Sequence, residues 1–107
     1  MNIYNICRNI VRLQDYAGIT DEIMAGFFEI STGKYSCLRH DTPVISITDL
    51  HRVSGLFLLF PDELCQDEAP ARFPRGCMRG LSAEELRRMA KGNNMHARAG
   101  KDTEIGQ

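Results

Sequence analysis

No run of this sequence approaches the roughly 18 apolar residues that a membrane span requires, so no membrane association is expected. The opening residues, Met1-Asn2-Ile3-Tyr4-Asn5, lack the basic and apolar blocks of a signal peptide, and a cytoplasmic protein is expected. The cysteines Cys7, Cys37, Cys65 and Cys77 form no C-x-x-C pair. That spacing gives no support to structural zinc, and in a reducing compartment it predicts free thiols. His40, His51 and His96 are scattered, and neither a metal nor a cofactor is expected. There is no glycine-rich phosphate loop and no nucleophile elbow, and no Cys and His suggest themselves as nucleophile and base. The chain is therefore not expected to be an enzyme, and no catalytic residue is assigned.

What is present fits one small domain with a tail: 107 residues, 43% of them hydrophobic. A unit of about 60–65 residues buries a modest core and gains from oligomerisation. Charge is uneven. Residues 1–64 carry five Lys/Arg against eight Asp/Glu, and residues 65–107 carry eight against six. The acidic excess of the first part is unfavourable for binding phosphate.

Apolar periodicity predicts helices. Ile6, Ile10, Leu13 and Ala17 recur at helical spacing over residues 3–17, and Gly18 is a natural stop. Thr20 caps a second helix with Asp21 and Glu22 in its first turn, and Met24, Ala25 and Phe28 form its inner stripe. Ile30-Ser31 interrupts the pattern. A third helix follows over about residues 32–40, with Tyr35 and Leu38 inward, and Asp41-Thr42-Pro43 breaks it. Ser46 and Asp49 suit a capping box for a fourth helix whose core face is Leu50, Val53 and Phe57. Pro61-Asp62-Glu63-Leu64 reads as one more short helix. Gln66 to Gly76 reads as a linker. Ser82-Ala83-Glu84-Glu85 opens a short helix to about residue 91, stopped by Gly92, and residues 93–107 read as a polar, mobile tail.

The segment from Thr20 to His40 is the informative one. Two short helices are joined by a tight turn, with a small residue, Ala25, where they would approach, and apolar groups on both inner faces. From Asn9 to Leu64 the chain resembles the Cro/repressor (Xre-like) helix-turn-helix family. The resemblance runs without a gap through Ile10-Val11-Arg12-Leu13, Gly18-Ile19-Thr20, Met24-Ala25, Phe28, Ile30-Ser31, Tyr35-Ser36, Leu38 and Asp62-Glu63-Leu64.

The resemblance implies an all-α, compact five-helix, lambda-repressor-like fold over residues 1–65, with residues 66–107 as linker, short helix and flexible tail. It also implies a homodimer whose third helix enters the major groove of operator DNA. Thr20 would face a phosphate at the start of the second helix. Ser31, Thr32, Gly33, Lys34 and Cys37 would read base edges, and Arg39 and His40 would meet backbone phosphate. Glu29 takes the turn position where the family prefers glycine, and a left-handed Glu there costs roughly 1 kcal/mol. Gly33 inside the reading helix costs about 1 kcal/mol in propensity and offers a base no side chain. Asp21 stands where it would repel a phosphate.

The function so implied is sequence-specific transcriptional regulation in the manner of a repressor, Cro-like switch or antitoxin-type autoregulator. The alternative keeps the fold but binds a protein partner, through a negative face exposing Phe27, Leu56 or Phe60. Leu56, Leu58, Leu59 and Phe60 together are the expected dimer surface.

Overall fold

In the computed structural model, which describes residues 3–40, 42 and 45–93, the first helix α1 spans Ile3–Ala17. Its apolar stripe of Ile6, Ile10, Leu13 and Ala17 is fully buried. Gly18 ends it in a left-handed conformation (φ 87°), with the Ile19 N–H returning to the Gln14 carbonyl at 3.0 Å. Helix α2 spans Asp21–Phe28, and the Thr20 hydroxyl accepts from the Ile23 N–H at 3.2 Å. Helix α3 spans Thr32–Arg39 and is capped by Ser31, whose hydroxyl accepts from the Lys34 N–H at 3.0 Å. Helix α4 spans Ile47–Leu56 and starts with the expected capping box of Ser46 and Asp49. A 3-10 helix over Pro61–Cys65 follows, with proline at its tolerated first position. A last helix, α5, occupies residues 83–93, and Ser82 and Glu85 cap it reciprocally at 2.8 and 3.1 Å. The described residues thus form an all-α globule of five α-helices and one 3-10 turn, without a strand. Asp41, Pro43 and the expected tail beyond Asn93 lie outside the described residues.

Glu29 is left-handed (φ 60°, ψ 43°). Its N–H bonds the Gly26 carbonyl at 3.1 Å and the Ile30 N–H bonds the Ala25 carbonyl at 3.0 Å, a Schellman closure of α2. The Glu29 carboxylate lies 3.6 Å from Arg52 but is 66% exposed, and such a pair contributes little. Glu29→Gly is therefore expected to stabilise the fold by a few tenths to about 1 kcal/mol, read as a higher urea midpoint. A lower midpoint would mean that the Arg52 contact outweighs the relieved backbone.

Residues 66–82, of which Gln66 to Gly76 were expected as a linker, are packed into the same core as α1–α4. Ala69, Phe73 and Met78 are buried. Phe73 sits between Phe57 and Tyr16, its ring centroid 5.7 Å from each. The amide of Asn9 donates to the carbonyls of Leu64 and Gln66 at 2.9 and 2.8 Å, and its oxygen accepts from the Ala69 N–H at 3.0 Å. Arg12 donates to the Ala69 carbonyl. Further along, the Gly76 N–H bonds the Tyr16 carbonyl at 2.7 Å and the Met78 N–H bonds the Ala17 carbonyl at 3.0 Å. Two prolines and mixed charge gave this stretch the look of a linker, but its few apolar residues are spaced to fill gaps rather than to mark an element. Helix α5 is likewise docked. Ala83 lies over Gly26, where an added Cβ would come within 2.9 Å of it. Arg87 donates to the Gly26 carbonyl at 2.6 Å. The helix also runs through Gly92 rather than stopping there, and Asn93 donates to the Gly55 carbonyl at 2.8 Å. That tertiary bond offsets the helix-propensity cost of glycine, which is about 1 kcal/mol.

Candidate nucleic-acid interface

Helix α3 has only two deeply buried side chains, Tyr35 and Leu38, both 0% exposed, three residues apart on its inner face. The Tyr35 ring stacks on Phe28 of α2 at 5.9 Å and 23°. Beneath it lies the amide of Gln14, itself fully buried. The Tyr35 hydroxyl donates to Gln14 Oε1 at 2.5 Å, while Gln14 Nε2 donates to the Ile19 carbonyl at 3.0 Å and to Asp21 Oδ1 at 2.7 Å. Burial pushes the Tyr35 phenol well above its ordinary pKa, so it stays a donor. One amide therefore joins α1, the α1–α2 corner and α3.

The far end of α3 is pinned by charge. Arg39 Nε donates to both Asp21 oxygens at 2.8 and 2.9 Å, and Arg39 Nη2 meets Asp15 Oδ1 at 2.6 Å. Burial alone would raise the pKa of Asp21, but hydrogen bonds from Gln14 and Arg39 outweigh it and hold the carboxyl below its usual range. Arg39 is held even more firmly protonated, first by its hydrogen bond to Asp15.

The residues assigned to base reading lie together. Ser31, Thr32, Gly33, Lys34 and Cys37 are all exposed at the start and along the outer side of α3. No carboxylate among the described residues pairs with Lys34. The Cys37 thiol turns back toward the Gly33 carbonyl at 3.8 Å. A Cβ on Gly33 would meet nothing within 4 Å. Thr20 is exposed, and its hydroxyl is used as the α2 cap. His40 is exposed and closes α3, its N–H bonding the Cys37 carbonyl at 3.0 Å.

Two expectations change. Arg39 is held by two carboxylates of its own chain, so its charge is not free for a phosphate. By the same pairing Asp21, expected to repel phosphate, is partly compensated: it shares the one guanidinium with Asp15, and the cluster keeps a net charge of −1. Gln14 and Asp15 were missed as supports of α3. The signal for Gln14 was present: Ile6, Ile10 and Gln14 are four apart, which puts the amide on the buried stripe of α1.

The expected partner surface also shrinks. Phe27, Leu56 and Leu59 belong to the core, and of the apolar groups named for partner or dimer contact only Leu58 (44%) and Phe60 (65%) are exposed. Among the described residues no group of three His, Cys, Asp or Glu side chains could hold a metal ion, and no helix is long and apolar enough to cross a membrane. Compared with known proteins, the chain matches no family model, no curated protein and no solved structure.

Proposed function

We propose that this chain is a sequence-specific DNA-binding regulator of the Cro/repressor helix-turn-helix type, acting as a homodimer on an operator, with α3 in the major groove. One observation carries the reading. Helix α3 is anchored on one side by Tyr35 and Leu38 and at its end by Arg39. Its opposite side offers an exposed polar row of Thr32, Gly33, Lys34 and Cys37, headed by Ser31. A short helix fixed in this way can enter a groove as a rigid body and needs little reordering on binding. The burial of Phe27 and Leu56 removes two of the three apolar groups on which a protein partner would depend. Leu58 and Phe60 remain as the place where a second copy would dock.

In this reading Lys34 donates to guanine O6 and N7, Thr32 bonds a base or presents its methyl to thymine, and Cys37 makes a small apolar contact. Gly33 lets the backbone come close. Thr20 sits at a helix start whose free N–H groups suit a phosphate. Lys34→Ala is expected to cost about 1–3 kcal/mol on the preferred duplex and to relax sequence preference. The test is selection of bound sequences from a random duplex pool, followed by titration of parent and variant on the selected and a scrambled duplex. Equal binding of parent and variant to both would overturn the base-reading role of α3 and bring a protein partner forward.

A further inference from the structure

The first 64 residues are acidic in balance, so the positive charge a duplex needs must come from elsewhere. Two basic residues after position 65, Arg75 and Arg79, are brought by the fold to one place. The bonds from Gly76 to Tyr16 and from Met78 to Ala17 lay residues 75–79 along the end of α1. Buried Phe73, just before the segment, and buried Met78 within it hold it to the core. Arg75 places its guanidinium over the Tyr16 ring, 4.7 Å from the centroid. Arg79 packs its stem against Gly18, where a Cβ would lie 3.2 Å from Arg79 Cβ and 3.3 Å from its Nε. Met78, Gly80, Leu81 and Ser82 share one open cavity of about 310 Å³ with Gly18, Ile19, Thr20 and Ile23. Both arginines are exposed, and no carboxylate among the described residues pairs with either. They therefore differ from Arg39, Arg52 and Arg72, each of which has an acidic partner.

We infer that Arg75 and Arg79 form a second phosphate-contacting element, which grips the duplex backbone beside Thr20 while α3 reads the bases. This rests on the DNA-binding reading above and extends the interface into residues outside the helix-turn-helix. Two free guanidiniums set on a rigid corner of the fold act on phosphodiester oxygens of any sequence, so they raise affinity without altering preference. Both are stacked or packed along their stems, which keeps the ordering cost low.

The experiment is a salt titration of duplex binding by the full chain. The parent is compared with the double variant Arg75→Gln, Arg79→Gln, which keeps the stems but removes the charge, and with Arg75→Lys, Arg79→Lys, which keeps the charge. The Gln variant should lose affinity for selected and scrambled duplexes by the same factor. Its slope of log affinity against log salt should fall by about 2, while the Lys variant retains the parental slope. A Gln variant with the parent's affinity and slope overturns the inference alone, since the parent's own binding still supports the DNA reading. So does a Lys variant that loses slope as the Gln variant does, because the effect would then not be one of charge. A parent that binds no duplex overturns the DNA reading and this inference with it.

Discussion

Asn9→Ala is expected to lower stability by about 3 kcal/mol or more, the largest effect of any single polar change in the described fold. Asn9 is 1% exposed and accepts or donates four hydrogen bonds. Three of its partners are backbone groups of residues 64–69, a stretch that Asn5 and Arg12 of α1 also hold, through the carbonyls of Cys65 and Ala69. Leaving a buried donor or acceptor without a partner costs about 1–3 kcal/mol, and alanine leaves two of them, the Leu64 carbonyl and the Ala69 N–H. Against a total stability of about 5–15 kcal/mol for a small domain, the loss should be plain in urea denaturation. Hydrogen exchange should show early loss of protection at Leu64 to Ala69. An unchanged urea midpoint would mean that these residues are held by Phe73 and its neighbours rather than by Asn9.

Gln14→Leu is expected to cost about 2–3 kcal/mol, and its signature is the recovery brought by a second change. Leucine roughly preserves volume but leaves the Tyr35 hydroxyl and the Ile19 carbonyl without their partner. Adding Tyr35→Phe removes the orphaned hydroxyl, so the double variant should be more stable than Gln14→Leu alone. A double-mutant cycle by urea denaturation gives the coupling directly, and additive losses would deny that the two groups act together. The same cycle bears on the proposed function. If α3 must be rigid to read bases, Gln14→Leu should weaken the selected duplex more than the scrambled one, although it lies on α1 and is fully buried.

The helices were legible in the sequence because their signals are local. Thr20 and Ser46 each sit just before an apolar period and cap the helix they precede, while Ser31, expected only among the base-reading residues, also caps α3. Gly18 ends α1, and Glu29 takes the left-handed turn despite its side chain, because the chain must reverse between α2 and α3 whatever residue stands there. The exposed row on α3 was the one the helix-turn-helix resemblance implied, and the burial of Tyr35 and Leu38 on the other side gives its physical reason. The fate of Leu56 and Leu59 was not legible. A run of five large apolar residues does not say which of them a neighbouring segment will cover, and Phe73, the residue that packs on Phe57, comes from a stretch with no period of its own.

By itself, then, the sequence determined where α1, α2 and α4 begin and where α1 ends, because caps and periods act within one or two turns, whereas the predicted stop of α5 at Gly92 did not hold. Only the tertiary structure decided what residues 66–93 do, since Ala69, Phe73, Met78, Leu86 and Ala90 have meaning only against the α1–α4 core they complete. It also decided the state of every charge near α3. Asp15, Asp21 and Arg39 are separate in sequence and count as two acids and a base, yet in space the one base bridges both acids and leaves a single net negative charge there, while Arg75 and Arg79 arrive beside the end of α1 with no acidic partner among the described residues. Coulomb energy depends on distance through space, and distance through space is what a one-dimensional count of charges leaves out.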